Sequence, residues 1–219
     1  MNCEALQVNH PIWPLFDLVV RTPRLELRYI DDAIGSELAE LAAAGVHDPA
    51  FMPFALPWTD VAPPQLQINV MQWYWRCRAE LTPTQWHIDL GVFVDGRLAG
   101  STSLEAHDFA VLRTFKTGSW LGREFHGSGI GKEMRAASLH LGFAGLGATE
   151  ATTAAFADNG PSLGVTASLG YTRLGTVRKL RRGQSTELLT FRMGREQWEG
   201  IRRVDFTIDG LEPCLALLT

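Results

Sequence analysis

The sequence predicts a mixed α+β (α/β) fold, in which helices flank a central sheet that is mostly antiparallel. Segments with the period-two alternation of strands occur along the chain together with segments of helical periodicity. The dipeptide Asp95-Gly96, between two such strands, is a strong signal for an antiparallel hairpin. The 219 residues contain no repeat or linker, so one domain is expected over 1–219, with a core at about 17–200 and an extension at 201–219.

The predicted elements follow in order along the chain. Strands are expected at residues 25–29, 86–94, 97–104, 114–121, 149–156, 171–177 and 186–193, with a further short one at 204–208. Helices are expected after Asp31, from Pro64 to about Ala79, from about Ile130, from Pro161 to Leu169 and once after residue 195. The segment 48–64 is rich in proline and also in large apolar residues, which favours a functional loop over disorder.

Composition excludes several classes of protein. The net charge of -4 and the pI of about 5.9 give no sign of a nucleic-acid partner. No stretch approaches the roughly 18 apolar residues of a membrane span, and the first twenty residues do not resemble a signal peptide. Cys3, Cys77 and Cys214 are widely spaced, which is typical of reduced thiols in a cytoplasmic protein and predicts no metal site. Whether the chain forms a homo-oligomer, such as a dimer, stays open.

The loop from His126 to Gly131 is the strongest chemical signal. Its three glycines stand at alternate positions between a predicted strand and a predicted helix, so successive N–H groups can point at one anion. The N-terminus of the helix favours the same negative charge, and Arg123 and Lys132 add positive charge. The spacing fits neither a P-loop nor the dinucleotide fingerprint. The loop therefore predicts a phosphate site of another kind, with a simple packing turn as the alternative.

These residues resemble motif A of the GNAT acyltransferases, in which Gln or Arg is followed by x-x-Gly-x-Gly/Ala. The resemblance is closest to the RimJ/RimL-like branch and extends over about residues 15 to 200. It is carried by Gly118-Ser119-Trp120-Leu121-Gly122, His126-x-x-Gly129-x-Gly131, Asp158-Asn159-Gly160-Pro161-Ser162 and Leu169-Gly170-Tyr171. Within that branch, Val46-His47-Asp48-Pro49, Met52-Pro53-Phe54 and Glu133-Met134-Arg135-Ala136-Ala137 are similar to an actinobacterial group of acetyl- and succinyltransferases.

The resemblance implies a GNAT-like sheet with a splayed fourth strand, followed by a phosphate-binding strand-loop-helix unit. It also implies direct transfer of an acetyl or succinyl group from acyl-CoA to an amine, either a small molecule or a protein lysine or N-terminus. Acyl-CoA would be a co-substrate, and no metal is implied. The implied CoA-binding residues are Trp120, Leu121, Gly122, Arg123, His126, Gly127, Ser128, Gly129, Ile130, Gly131, Lys132, Asn159 and Ser162.

Candidate catalytic residues lie on both sides of the reaction. The resemblance implies that Asn159 holds the pantetheine arm and that Ser162 lies near the thiol, although both residues also suit the start of a helix. Glu105, His107 and Asp108 follow the third predicted strand and are candidates for the base. Ordered water in place of a protein base is the alternative. Glu133, on the helix, is expected to be structural.

Two departures from the family pattern leave a second function open. His126 replaces the usual Gln or Arg, and Lys116 stands where many relatives have a Glu. A CoA-binding module without catalysis, acting as a sensor or partner protein, is therefore the alternative. If the donor is succinyl-CoA, the cations available for its carboxylate are Arg113, Lys116 and Arg135.

The many tryptophans predict either a thick core or an aromatic wall that faces the ligand. Segment 48–58 and the second helix are expected to shape the acceptor side.

Overall fold

The computed structural model describes residues 10–219, so Cys3 and the first nine of the twenty residues examined for a signal peptide lie outside the described residues. The strands are β1 (Val19–Arg21), β2 (Leu25–Tyr29), β3 (Gln85–Val94), β4 (Arg97–His107), β5 (Thr114–Leu121), β6 (Glu150–Phe156), β7 (Thr172–Arg181), β8 (Gln184–Gly194) and β9 (Thr207–Asp209). The helices are α1 (Asp32–Ala44), α2 (Gln65–Ala79), α3 (Phe109–Leu112), α4 (Ile130–His140), α5 (Gly160–Ser168), α6 (Arg195–Glu199) and α7 (Leu215–Leu218). None of the helices in this part of the chain has the length and apolar character needed to cross a membrane.

All nine strands belong to one sheet in the order β7-β8-β6-β5-β4-β3-β2-β1-β9. Neighbouring strands are antiparallel except for β5 and β6, which run parallel. The predicted fold class is therefore confirmed. The bounds of β5 are those expected from the sequence, and α2 differs from its prediction by one residue.

Some elements differ from the sequence prediction for local reasons. β1 was not predicted, because three residues are too few to display a period; it pairs with β2 and β9. β9 lies at Thr207–Asp209 rather than at 204–208 because the pairing with β1 sets its register. β7 and β8 extend beyond their predicted ends because Arg182 and Gly183, with φ of 47° and 78°, form a two-residue hairpin turn.

The two faces of the sheet have different environments. Along β3, Trp86, Ile88 and Leu90 belong to the larger hydrophobic core, which also contains residues of α4. His87 and Asp89 have the opposite orientation, because side chains alternate along a strand, and they line a cavity together with residues of α2. A smaller apolar cluster joins α1 and α2 on that second face. One face of the sheet thus holds most of the core and the other leaves room for a ligand.

β5 and β6 separate soon after they begin. Their parallel pairing consists of three residue pairs and ends at Lys116 opposite Thr152. Beyond this point β5 continues to Leu121 in contact with β4, while β6 continues to Phe156 in contact with β8. Beyond this point a gap separates the two strands, so one backbone edge of each has no strand partner. β5 is therefore the splayed strand that was expected.

A close contact fixes the far end of α4 to the beginning of β5. The helix continues into a wide turn at Leu141–Gly145. Within that turn a Cβ on Gly142 would lie 2.1 Å from the ring of Phe115, so only glycine fits there without movement of the ring. The separation of α4 from β5 is set at this contact and at the loop that joins the two elements.

Candidate active site

The start of α4 has the geometry of an anion site. Gly127 and Gly129 have φ of 75° and 82°, a conformation that glycine adopts without strain, and no side chain caps the helix. Within residues 10–219, the N–H groups from Gly127 to Lys132 donate to no protein acceptor. Six consecutive donors at the positive end of a helix dipole can therefore surround a phosphate group.

Ion pairs and hydrogen bonds to the segment that precedes β2 hold the loop and the first turn of α4 in place. Glu133 accepts hydrogen bonds from the Thr22 hydroxyl at 2.6 Å and from Arg24 Nε at 2.7 Å. Arg24 Nη1 donates to the carbonyl of Ser128 at 3.3 Å, and the Ser128 hydroxyl donates to the carbonyl of Phe125 at 2.9 Å. Glu133 therefore has the structural contacts that were expected of it. These bonds fix the loop, while its N–H groups stay available.

His126 is tied to the end of β5. Its Nε2 lies 3.1 Å from the carbonyl oxygen of Leu121. A carbonyl can only accept, so Nε2 carries the proton and the neutral ring has only an acceptor at Nδ1. His126 can donate to a phosphate at Nδ1 only when the ring is protonated. Its clearest contribution is to join the strand to the loop, whereas the exposed side chains of Arg123 and Lys132 supply charge at the rim.

Arg135 bridges the two strands that border the gap. Its Nη1 donates to the hydroxyl of Thr153 on β6 at 2.9 Å, and its Nη2 donates to that of Ser119 on β5 at 3.1 Å. The residue is only 5% exposed, and its buried Nε has no hydrogen-bond partner. Among the described residues no carboxylate pairs with it. A buried positive charge therefore lies beside the gap.

Asn159 and Ser162 lie at the start of α5, shortly after the end of β6. Asn159 Oδ1 accepts the N–H of Ser162 at 3.2 Å, so the capping role considered from the sequence is present. Asn159 is 9% exposed, and its amide nitrogen donates to no group among residues 10–219. The Ser162 hydroxyl likewise has no partner in that range, because the hydrogen bond from Thr166 goes to the Ser162 carbonyl. Both side chains keep polar atoms free for a ligand.

A cavity of about 610 Å³ lies on the second face of the sheet, between β3, β4, β5 and the cover formed by α2 and part of segment 48–64. Five aromatic side chains contribute to its walls, and its floor is polar. The walls include Phe54, Trp58, Trp73, Tyr74 and Trp120, and the floor includes His87, Asp89, Ser103, Glu105 and Lys116. Trp86 and Trp198, in contrast, are buried in the core. Some tryptophans are therefore part of the core, whereas others line the cavity, where the ligand-facing interpretation stays a prediction.

The cover of this cavity is attached at two places. Phe54 contacts Trp58, which packs against Trp120 of β5 with ring centroids 5.6 Å apart. At the tip of the β7–β8 hairpin, Arg182 binds Asp60 with Nε–Oδ2 at 2.7 Å. The preceding residue, Arg181, binds Asp158 at 2.6 and 2.8 Å, next to the end of β6. The hairpin thus connects the cover of the cavity to the strand that borders the gap.

The predicted base cluster is only partly at the cavity. Glu105 lines it and accepts a hydrogen bond from Lys116 Nζ at 3.0 Å. Burial alone would raise the pKa of Glu105, but Lys116 outweighs it and the pKa is lowered, which makes this carboxylate a weak base. His107, whose side chain is 59% exposed, lies 3.8 Å from Glu105 at the end of β4. His107 and Asp108 are not part of the cavity wall.

A second group of titratable side chains, which sequence reasoning missed, lies on the cavity floor. His87 Nδ1 is 2.9 Å from Asp89 Oδ2, and donor atoms of Cys77, His87 and Asp89 all lie within 4.8 Å of one another. Burial, followed by the Asp89 charge, raises the pKa of the Cys77 thiol, so the sulfur stays protonated. The only available signal was that His87 and Asp89 stand two residues apart in a predicted strand, which places them on one face.

Comparison with known proteins agrees with this geometry. Residues 24–172 match the family described as the acetyltransferase (GNAT) domain. This stretch is more than half of the chain, and the protein therefore belongs to the GNAT acetyltransferase family.

Solved structures share the fold at low sequence identity. Mycobacterium smegmatis RimJ, in complex with CoA-disulfide, has 18% identity and a TM-score of 0.68, with 84% of this chain and 90% of that chain covered. RimL, a ribosomal L7/L12 alpha-N-protein acetyltransferase in complex with coenzyme A, has 17% identity and a TM-score of 0.66, with 82% and 99% covered. A GCN5-related N-acetyltransferase from Brucella melitensis has 18% identity and a TM-score of 0.67, with 84% and 81% covered. These three structures share the fold of this chain.

Proposed function

We propose that this protein transfers an acetyl or succinyl group from acyl-CoA directly to an amine. The observation that carries the proposal is the row of unpaired N–H groups from Gly127 to Lys132, at the end of a loop that follows a splayed strand. These donors suit the pyrophosphate of CoA. The free edge of β5 beside the gap suits the extended pantetheine arm, which can add to it as a strand does. A backbone N–H of that edge can stabilise the oxyanion of the tetrahedral intermediate.

Asn159 and Ser162 are proposed to act on the thiol side of the gap. The free amide nitrogen of Asn159 can bind a carbonyl of the pantetheine arm while its oxygen caps α5. The free Ser162 hydroxyl can then donate a proton to the thiolate that leaves. On the amine side, Glu105, His107 and Asp108 stay candidate bases, and of these only Glu105 lines the cavity.

Arg135 supports a donor that carries a second carboxylate, such as succinyl-CoA. Its guanidinium is buried beside the gap and has no acidic partner within residues 10–219. A buried cation without a counter-ion is costly, and a carboxylate on the acyl chain would compensate it. Of the other two cations considered, Lys116 lines the cavity but is paired with Glu105, and Arg113 binds the carbonyl of Leu146 away from the cavity.

The test combines binding with transfer. The protein is titrated with CoA in a calorimeter, and release of free thiol is followed with acetyl-CoA or succinyl-CoA and lysine, spermidine, an aminoglycoside or a short peptide with a free N-terminus. Thiol release that depends on the amine, with the acylated amine detected by mass spectrometry, is the expected result. Binding of CoA without transfer to any amine would favour the non-catalytic module. Absence of heat at millimolar CoA would contradict the phosphate site itself.

A further inference from the structure

The His87–Asp89 pair on the floor of the cavity supports an inference that rests on the proposed acyl transfer. We propose that His87, oriented by Asp89, accepts the proton that the acceptor amine must lose before it attacks the thioester. Neither residue belongs to the base cluster at Glu105, His107 and Asp108.

Hydrogen bonding fixes the chemical form of His87. Its Nδ1 lies 2.9 Å from Oδ2 of Asp89, which is 7% exposed and, as a carboxylate, can only accept. The proton of the neutral ring is therefore on Nδ1, and the lone pair is on Nε2. Within residues 10–219, Nε2 has no hydrogen-bond partner, while the ring packs edge-on against Trp73 with centroids 5.4 Å apart. The free nitrogen has the form that a general base requires.

The sheet register places His87 in line with the strand at the gap. His87 lies opposite Glu105 of β4, and Glu105 lies opposite Lys116 of β5, the last residue of β5 that pairs with β6. Neighbouring strands are about 4.8 Å apart, so the backbone of His87 lies about 10 Å from that of β5. One cavity extends over the whole distance. An amine at the edge of β5 can therefore transfer its proton to Nε2 directly, if the molecule is long enough to span this distance, or through one or two waters.

The charges around His87 come from each element packed against it. Asp89 lies on β3, Glu105 on β4 and Lys116 on β5, and α2 contributes Tyr74, Arg76 and Cys77. Burial lowers the pKa of His87, but the charge and hydrogen bond of Asp89 outweigh it, so the pKa lies above its ordinary value. Transfer that needs neutral His87 is then lost as the pH falls through this raised pKa. Asn in place of Asp89 lowers the pKa of His87 and moves that loss to lower pH.

The proton balance of the reaction is complete with this residue. An amine that arrives as an ammonium ion gives one proton to Nε2, and the resulting imidazolium is stabilised by Asp89. The amine nitrogen then bonds to the thioester carbon, and the carbon–sulfur bond breaks. The thiolate takes the proton of the Ser162 hydroxyl, and the nitrogen gives its second proton back to that hydroxyl. His87 afterwards releases its proton to solvent. The sum is one amide, one free CoA thiol and one proton for each ammonium ion consumed.

The experiment compares His87→Gln, Asp89→Asn and His107→Gln with wild type, using the amine that reacts fastest in the transfer assay. We expect His87→Gln to lower kcat by about 100-fold or more and to remove the acid limb of the pH–rate profile. Asp89→Asn should retain that limb at lower pH with a smaller loss of rate. Calorimetry with CoA should give unchanged affinity in both, which shows that the fold and the phosphate site persist. His10→Gln, at an exposed histidine remote in sequence from the cavity, is the control for loss of an imidazole.

The outcomes separate this inference from the proposed function. A wild type that transfers no acyl group overturns both. An active wild type together with a His87→Gln variant within threefold of its rate overturns only the role of His87. Loss of the acid limb in His107→Gln rather than in His87→Gln would move the base to the other cluster. NMR titration of the His87 imidazole, assigned with the Gln variant, must also give a pKa above 6.5 that falls in Asp89→Asn.

Discussion

The proposed donor side and the proposed acceptor side of this molecule are built in different ways. The phosphate loop, the end of β5 and the start of α4 come from one continuous stretch, Thr114 to His140, in which each part supports the next. The acceptor cavity takes its walls from α2, β3, β4, β5 and the segment before α2, which meet only after the chain has folded.

Because the two sides are built differently, amino-acid substitutions should affect them differently. A run of unpaired backbone N–H groups binds any phosphate and depends little on side chains, so the donor site follows from glycines and helix geometry. The cavity depends on side chains such as Trp58, Trp73 and His87, each of which can change without loss of the sheet. We therefore expect substitutions in the phosphate loop to weaken CoA binding, and substitutions in the cavity to leave the Kd for CoA unchanged.

The largest effect is expected for Gly131→Glu. A Cβ at Gly131 has ordinary contacts, with the nearest atom of Val165 at 3.8 Å, so the variant should fold. Its carboxylate would meet the pyrophosphate, and loss of two charged hydrogen bonds at about 2 kcal/mol each corresponds to roughly a thousandfold weaker CoA binding. Calorimetry measures the affinity. Gly164→Glu on α5, where a Cβ has open space, is the matched control, and equal losses in both variants would contradict a specific site.

A smaller effect is expected for Ser162→Ala. If the hydroxyl gives its proton to the departing thiolate, turnover should fall by about 100-fold while the Kd for CoA stays the same. Steady-state rates and calorimetry measure the two quantities separately. Ser168→Ala at the other end of α5 should leave both unchanged. Full turnover in Ser162→Ala would remove this residue from the mechanism.

Trp58→Ala is expected to act on the amine only. Loss of its ring from the cavity wall and from the contact with Trp120 should raise KM for the amine by about tenfold, as for a well-packed aromatic residue in a binding site. The Kd for CoA should not change. Trp75→Ala serves as the comparison, because Trp75 lies on α2 outside the cavity and binds Asp32. Weaker CoA binding in Trp58→Ala would mean that the two sides are not independent.

The smallest effect is expected for Asp60→Asn, which breaks the ion pair between the cover of the cavity and Arg182. The pair is exposed and screened by water, so KM for the amine should rise only about two- to threefold. Asp205→Asn, which breaks the exposed pair with Arg203, should have no effect on KM. An equal change in both variants would show that loss of a surface charge alone is responsible.

The contrast between the two sides also explains what the sequence could predict. The glycine loop, the bounds of β5 and the cap at Asn159 depend on neighbouring residues, and each was predicted from local patterns. A strand was predicted over residues 86–94, and the alternation of a strand puts His87 and Asp89 on one face, but no local pattern shows that α2 leaves this part of the face open. The ion pair between Arg182 and Asp60 was not predicted, because the two residues lie more than a hundred positions apart in the sequence.

The position of His107 and Asp108 outside the cavity wall has a specific physical cause. The turn at Asp95-Gly96 pairs Val94 with Arg97, and a bulge near Val92 shifts the register by one residue. Gln85, at the start of β3, must therefore pair with His107, so β4 continues three residues beyond its predicted end. His107 and Asp108 were expected in a loop beside the acceptor, whereas the strand carries them past the cavity. The register of the hairpin contained part of this information, because a strand that starts at Trp86 needs a partner beyond residue 104, and in the structure that partner is Ala106.

The contact between Gly142 and Phe115 has a consequence for the length of the acyl carrier. Because α4 and β5 are joined at the loop and held again at this contact, these two connections set the distance from the loop donors to the gap. If CoA binds as proposed, this distance must match the arm that links its pyrophosphate to its sulfur. A thioester on a shorter arm would then bind through its phosphates without reaching the amine, and we expect it to inhibit transfer rather than to act as a donor.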